Sequence, residues 1–199
     1  MEILVNPVLS KKDLDEVVKI HIETFDGFFL TFLGKGFLRQ MYKGYITHKK
    51  SGLIIAKNDK DVVGVLAYSE DISAFYKYLI KTRLIPFAWY SLGAIIRRPT
   101  AMIRLIRAFL KPGETKRKEK YIELSSIGVS PKVKGQHIGS GMIDKLKEIF
   151  DADKFEYINL ETDAFNNEGA NAFYIKNNFV LTRTFETTEG RKMNEYRWS

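Results

Sequence analysis

Ile127-Gly128-Val129-Ser130-Pro131-Lys132-Val133-Lys134-Gly135-Gln136-His137-Ile138-Gly139-Ser140 joins a β-rich run to an amphipathic one. Upstream, Tyr121 to Val129 has strand composition. Downstream, Ile138, Met142, Leu146 and Ile149 recur at helical spacing. Small residues at such a junction let backbone amides come close to a ligand. The helix start adds unpaired N–H donors and the positive end of the helix dipole, so an anion fits there. Lys134 adds a full charge. Glycines at strand-to-helix turns also serve conformation alone, so on these residues the anion site and the plain turn both stand. Two other phosphate loops are excluded. Gly135 to Gly139 has neither the spacing nor the Lys-[Ser/Thr] ending of a P-loop, and the Gly-x-Gly-x-x-Gly of a dinucleotide fold is not met.

After this segment, Tyr157 to Glu161 reads as a strand and Asn167 to Lys176 as a helix. Phe179 to Glu186 and Met193 to Trp198 read as two closing strands. Before it, Ile3 to Val8 is a short strand, and Ser10-x-x-Asp13 resembles a capping box. Leu14, Val17, Val18, His21 and Phe25 follow on one helical stripe. A second helix is predicted over about Thr31 to Tyr45 from Leu33, Phe37, Leu38, Met41 and Tyr45. Ser51 to Lys57 and Val62 to Ser69 are β-rich and separated by the turn Asn58-Asp59-Lys60-Asp61. From Asp71 to Lys120 run two apolar, aromatic stretches broken by Pro86 and Pro99. They predict two or three inserted helices ending in the loop Lys111-Pro112-Gly113-Glu114. Strands, helices and hairpins in this order give a mixed α/β (α+β) fold class.

The chain has 199 residues, enough for one domain that buries roughly 70% of its unfolded surface without covalent staples. Its 45% hydrophobic and 28% charged residues are ordinary for a globular protein. Cysteine is absent, which excludes disulfides, thiolate metal sites and a cysteine nucleophile, and fits a reducing compartment. The N-terminus lacks the pattern of a secretory signal, and no run of about 20 apolar residues exists, so a cytoplasmic protein is expected. The net charge of +8 makes polyanions candidate partners, and nine Lys and Arg fall between Arg97 and Lys120.

The quoted segment resembles the acyl-CoA signature of the GNAT acyltransferases, in which a strand ending in Val-x-Pro leads to [Arg/Gln]-x-x-Gly-x-[Gly/Ala]. Lys134, His137 and Gly139 occupy the three defined positions. Lysine stands for arginine or glutamine, and His137 brings a side chain where the family has none. Further on, Asn167-x-x-Ala170-x-x-x-Tyr174 and Asn177-Asn178-Phe179 resemble the family's Asn-x-x-Ala-x-x-x-Tyr followed by Gly-Phe. Asn178 takes the glycine position, and asparagine is the next-best residue for a left-handed helix end. The resemblance is strongest over 121–179. It implies one GNAT domain over 1–199, a central mixed, mostly antiparallel sheet flanked by helices, and a helical insertion around 71–118.

The resemblance also implies an N-acetyltransferase that uses acetyl-CoA as co-substrate, with no metal. Backbone groups of Ile127, Gly128 and Val129 would pair with the pantetheine arm, as one strand adds to another's edge. Lys134, Gly135, Gln136, His137, Ile138, Gly139 and Ser140 would hold the pyrophosphate, and Asn167 would meet the pantetheine. Tyr174 matches the family's general acid for the coenzyme A thiolate; as a residue it is equally a core aromatic beside Phe173. Glu123 stands where some members, notably the histone-type enzymes, carry a glutamate that deprotonates the amine through water. Period-two alternation places Glu123, Ser125, Ile127 and Val129 on one face, where a partly buried acid would have a raised pKa. A solvated strand glutamate is the other reading. The histidines, His21, His48 and His137, are not at metal-ligand spacing. Glu161 and Asp163 are placed to face an acceptor, although surface acids are common there.

The acceptor is expected to be a small-molecule primary amine. Phe28-Phe29-Leu30-Thr31-Phe32-Leu33-Gly34 resembles a segment of GNAT relatives linked to bacterial surface sugars. An amino sugar or sugar nucleotide would use the positive charge to hold its diphosphate. Over 84–110, Trp89, Tyr90, Ile95, Ile96, Met102, Ile103 and Ile106 interleave with Arg97, Arg98, Arg104 and Arg107. The pattern suits a helix on an anionic membrane surface, and equally a domain-covering helix pair or a homodimer interface. Two other classes remain open on the sequence: a non-catalytic acyl-CoA-binding module, and a basic nucleic-acid-binding domain. No nucleic-acid partner is expected, since no binding motif for one is present.

Overall fold

The computed structural model describes residues 1–97, 117, 119–187 and 190–199. Most of the second apolar stretch of the predicted insertion, with the loop at 111–114, falls outside them.

Helix α1 (Lys11–Thr24) starts where the sequence places a cap. The Ser10 side chain accepts from the Asp13 amide, and Asp13 accepts from the Ser10 amide, closing the capping box. Leu14, Val17, Val18, Ile20 and His21 form its buried stripe. The predicted second helix is two: a single turn, α2 (Phe29–Phe32), and α3 (Lys35–Thr47). Gly34 divides them at φ 92°, a left-handed conformation that no helix interior accommodates. Helix α4 (Ile72–Arg97) runs unbroken through Pro86, against the predicted break there. Proline removes one helical hydrogen bond, but packing offsets it. Phe87 is buried with its ring 4.5 Å from Phe37 of α3. Helices α3 and α4 approach closely, since a Cβ on Gly36 would meet the Tyr90 ring and one on Gly44 would meet Leu79.

Strands β1 (Glu2–Val5), β2 (Ser51–Asn58), β3 (Asp61–Ser69), β4 (Tyr121–Val129), β5 (Tyr157–Asp163), β6 (Val180–Glu186) and β7 (Lys192–Trp198) form one sheet in the order β1-β2-β3-β4-β5-β7-β6. Every neighbouring pair is antiparallel except β4–β5. Asp59 at φ 49° makes the two-residue turn between β2 and β3. Alternation along these strands builds two cores. Leu53, Ile55, Val65 and Ala67 join α1, α3 and α4 on one face. Ile54, Ala56, Leu66 and Tyr68 join α5 (Ile138–Glu148) and α6 (Glu168–Lys176) on the other. Truncating a fully buried residue such as Leu66 or Leu146 to alanine would cost about 2–5 kcal/mol.

The alternation expected along β4 fails at one residue. Ala67 pairs with Ser126 and Tyr68 with Leu124, so Ser125 is an extra residue, a β-bulge. The bulge reverses which face each later side chain meets. Ile122 and Leu124 belong to the α5–α6 core, and Ile127 and Val129 pack on that same core. Gly128 points the other way, toward Ile20 and Thr24 of α1. Glu123 therefore does not share a face with Ile127 and Val129, as strict alternation requires. It faces α3 and α4.

Candidate active site

Strands β4 and β5 are hydrogen-bonded neighbours at Tyr121↔Tyr157, Ile122↔Ile158 and Glu123↔Asn159, and there the pairing ends. Beyond that rung β4 continues to Val129 against β3 alone, while β5 continues against β7. Among the described residues the edge of β4 from Leu124 to Val129 is thus open on the β5 side, and its backbone groups there need partners.

Glu123 sits at the last paired rung. Its Oε2 accepts a 2.9 Å hydrogen bond from Asn159 Nδ2, and its other oxygen has no hydrogen-bond partner among the described residues. Protein surrounds the carboxylate on nearly all sides, yet the residue retains some accessible surface. Burial pushes its pKa to about 8, helped by the charge of Glu161 and opposed by the Asn159 hydrogen bond and Arg117. The raised pKa that alternation attributed to the apolar α5 face thus arises on the opposite face. Tyr76 of α4 is close enough that burial and the Glu123 charge together raise its phenol to about 12. Burial also raises Tyr121, beside Glu123 on β4, to about 12.

Behind Asn159 lies a network that the sequence did not announce. Arg117 donates to Asn159 Oδ1 at 3.0 Å and to Glu195 Oε2 at 2.6 Å, and lies 3.6 Å from Glu161. Glu195 is fully buried and also pairs with Arg183 and Arg197. Burial alone would raise its pKa, but the three guanidiniums hold it below the usual value. In the sequence Arg117 is one base among several, Lys116-Arg117-Lys118, and nothing there separates it from its neighbours.

The loop before α5 has its own logic. Gly135 adopts φ 87° and His137 φ 58°, so the chain turns through two left-handed residues before the helix begins. The backbone amides of Gly135 to Ser140 make no hydrogen bond to a described residue, and no side chain caps the helix start. N–H groups left without an intrahelical partner at a helix N-terminus suit an anion. Lys134, exposed in the same loop, makes no ion pair among the described residues. Gly139 lies against Phe173 of α6, where a Cβ would come within 3.0 Å of the ring.

Helix α6 ends as its asparagines suggest. Asn178 takes φ 63°, Phe179 N–H bonds to Tyr174 C=O at 3.0 Å, and Asn178 N–H to Ile175 C=O at 2.9 Å. This is a Schellman ending, and the contact of the Tyr174 and Phe179 rings completes it. Tyr174 is buried among Phe173, Phe179 and Tyr196, and burial raises its pKa, so the phenol holds its proton. Its hydroxyl has no hydrogen-bond partner among the described residues. Asn167 caps the start of α6 in sequence position, but its side-chain amide donates to Thr162 Oγ1 and the Asp163 carbonyl, tying α6 to the end of β5.

The predicted site residues thus fall in two groups around the β4–β5 opening. Ile127 to Val129 lie on the β4 edge itself, Lys134 to Ser140 follow it into the start of α5, and Asn167 and Tyr174 belong to α6 and its start. Glu123 stands at the closed end of that opening on the α3–α4 side. Glu161 is drawn into the Arg117 network, and Asp163 pairs with Arg191, whose guanidinium lies over the Phe28 ring. His21 is a buried core residue, bonded through Nδ1 to the Tyr42 hydroxyl at 2.8 Å, and burial lowers its pKa to about 4. Among the described residues no group of three or more His, Asp or Glu is placed to hold a metal ion.

A sequence profile of the acetyltransferase (GNAT) family matches residues 15–179. The chain belongs to the GNAT acetyltransferase family. The sheet order, the single parallel pair and the helices on both faces are the GNAT fold, as solved structures show. A protein from Desulfovibrio desulfuricans assigned to the GNAT family superposes with a TM-score of 0.65 at 13% identity, over 100% of this chain and 99% of its own. The ribosomal-protein-S18-alanine N-acetyltransferase of Escherichia coli gives 0.56 at 11% identity, over 98% and 92%. A Bacillus anthracis protein assigned as a streptothricin acetyltransferase, solved with acetyl coenzyme A, gives 0.50 at 16%, over 78% and 66%. None of the curated proteins matches the chain in sequence. The acceptors named for these GNAT relatives differ, so the shared fold does not choose one.

Proposed function

We propose that the chain transfers an acetyl group from acetyl-CoA to a primary amine of a small molecule. The observation that carries this reading is the parting of β4 from β5 immediately after Glu123↔Asn159, together with the amides of Gly135 to Ser140, which make no hydrogen bond to a described residue. The fit to coenzyme A is chemical at both ends. The amides and Lys134 suit a pyrophosphate, and the open β4 edge at Ile127, Gly128 and Val129 suits the amides of a pantetheine arm. Gly139 lies against Phe173, and Asn167 ties α6 to the end of β5.

Acetyl-CoA supplies an activated thioester carbonyl; the amine nitrogen forms a bond to that carbon and the carbon–sulfur bond breaks. Glu123 takes the proton that the amine must lose, directly or through one water, and its pKa of about 8 suits that exchange near neutrality. Tyr174, kept protonated by burial, supplies a proton to the departing sulfur. Asn159 aims the Glu123 carboxylate and is held by Arg117. For the acceptor, an amino sugar or sugar nucleotide is the class to test first. The Phe28–Gly34 segment and the chain's excess of positive charge support it.

The test is thermal stability with acetyl-CoA, longer acyl-CoAs and free coenzyme A. A ligand at 100 times its Kd stabilises by about 2.7 kcal/mol, an easily measured rise in Tm. No rise with any of them removes the proposal. A rise with acetyl-CoA, followed by release of free thiol in a screen of amines and sugar nucleotides, supports it and names the acceptor.

A further inference from the structure

From Ile72 to Gly113 the chain contains no Asp or Glu and eight Lys and Arg, which equals the whole net charge; the remaining residues carry 24 of each sign. In sequence, the net positive charge of this protein is therefore one acid-free stretch. Helix α4 is its described part. Buried Phe75, Leu79, Phe87 and Ala94 fasten α4 to α3, and this fixes which side faces outward. That outward side is apolar. Leu84, Ile85, Trp89, Leu92 and Ile96 are exposed, Ile85 by 81%, Trp89 by 72% and Ile96 by 74%. At spacings of four, three and four residues, Ile85, Trp89, Leu92 and Ile96 form one stripe. The exposed Lys77 and Lys81 stand one to two turns before it.

We infer that the outward face of α4 docks on an anionic lipid bilayer, with Ile85, Trp89, Leu92 and Ile96 entering the headgroup–acyl boundary and the exposed Lys77 and Lys81 meeting the negative surface. Charge selects this occupant. A second copy on the same stripe would bring two α4 helices together that carry lysines and no acid, and like charges oppose that pairing. A nucleic acid would be met by basic residues at the centre of the contact; here the centre is aliphatic and indole, and the exposed Lys77 and Lys81 stand before it on the helix. Tryptophan beside branched aliphatics, flanked by lysines without acids, is the composition of a helix lying in an interface. Among the described residues no helix is long and apolar enough to cross a membrane.

The experiment is co-sedimentation of the full chain with phosphatidylcholine vesicles and with mixed phosphatidylcholine–phosphatidylglycerol vesicles, at low and high salt. The emission of Trp89 is followed alongside, with Trp89→Phe assigning its share against Trp198. The expected result is binding to the mixed vesicles, weakened by salt, with a blue shift that Trp89→Phe removes. Ile85→Glu/Leu92→Glu places charges only where side chains are already exposed, and should reduce vesicle affinity by about tenfold or more with an unchanged far-UV spectrum. Three results overturn the inference. One is no binding to mixed vesicles at low salt. Another is binding that Ile85→Glu/Leu92→Glu leaves unchanged. The third is a wild-type dimer in sedimentation velocity that this double variant dissolves, without vesicle binding. Salt-sensitive binding to duplex DNA in place of vesicles counts with the first.

Discussion

Asn159 donates its side-chain amide to the Glu123 carboxylate across the last rung that joins β4 to β5, with 2.9 Å between Nδ2 and Oε2. One hydrogen bond thus marks both the end of the parallel pairing and the orientation of the acid proposed as base. Because the bond favours the ionised form, its loss has a direction. Asn159→Leu should move the lower limb of the kcat/KM–pH profile to higher pH, not merely scale the rate down. A uniform loss at all pH values would mean that Asn159 is structural only.

Glu123 itself carries two signatures. A base must be ionised, so kcat/KM should rise with pH through about 8, and Glu123→Gln should lower kcat by about 10²–10⁴. Stability moves the other way. With a folded pKa of about 8 against 4.5 in the unfolded chain, the native state holds a proton that the unfolded state has released between those values. The stability this confers is complete below 4.5 and lost as pH rises through 8. Glu123→Gln should therefore melt above wild type at pH above 8 and alongside it at pH below 4.5, which calorimetry at the two ends would show.

Tyr174→Phe keeps the ring that Phe173, Phe179 and Tyr196 surround, so folding and coenzyme A affinity should be unchanged. If the phenol supplies the proton to sulfur, kcat should fall by about 10²-fold or more. Wild-type turnover by the variant would leave Tyr174 as a core aromatic.

His137 is a side chain in a left-handed conformation at φ 58°. Histidine tolerates this region at a cost of about 1–2 kcal/mol, which glycine does not bear. His137→Gly should preserve or tighten coenzyme A binding, measured by titration calorimetry. Abolished binding would mean that the imidazole, exposed at the rim, contacts the ligand.

Asn178 offers a control at the other motif. At φ 63° it closes the Schellman ending of α6, so Asn178→Gly should be neutral within a few tenths of a kcal/mol. Asn178→Ala should cost about 1 kcal/mol, read as a fall in Tm.

Where the sequence was legible, local chemistry decided the outcome. The Ser10–Asp13 box, the Asn58–Asp61 turn, the strand from Tyr121 to Val129 and the Asn178 helix end are fixed by residues within a few positions of one another, and each could be read directly. Gly34 and Pro86 show the limit in two directions. The stripe through Leu33 to Tyr45 hid a break made by one left-handed glycine, while Phe87 against Phe37 carried α4 across a proline that should have stopped it. The Arg117–Asn159–Glu195 network was illegible because its members lie far apart in the chain, and because a basic run does not say which arginine will find a buried acid.

Ser125 gives β4 two phases within one strand. Upstream of it, a change at position 123 alters what β4 presents to α3 and α4. Downstream, Ile127 and Val129 keep their hold on α5 whatever stands at 123. The two halves can diversify independently. Deleting the single residue Ser125 would couple them again: with Ile127 and Val129 anchored, Glu123 would be swung toward the aliphatic core and away from α3 and α4.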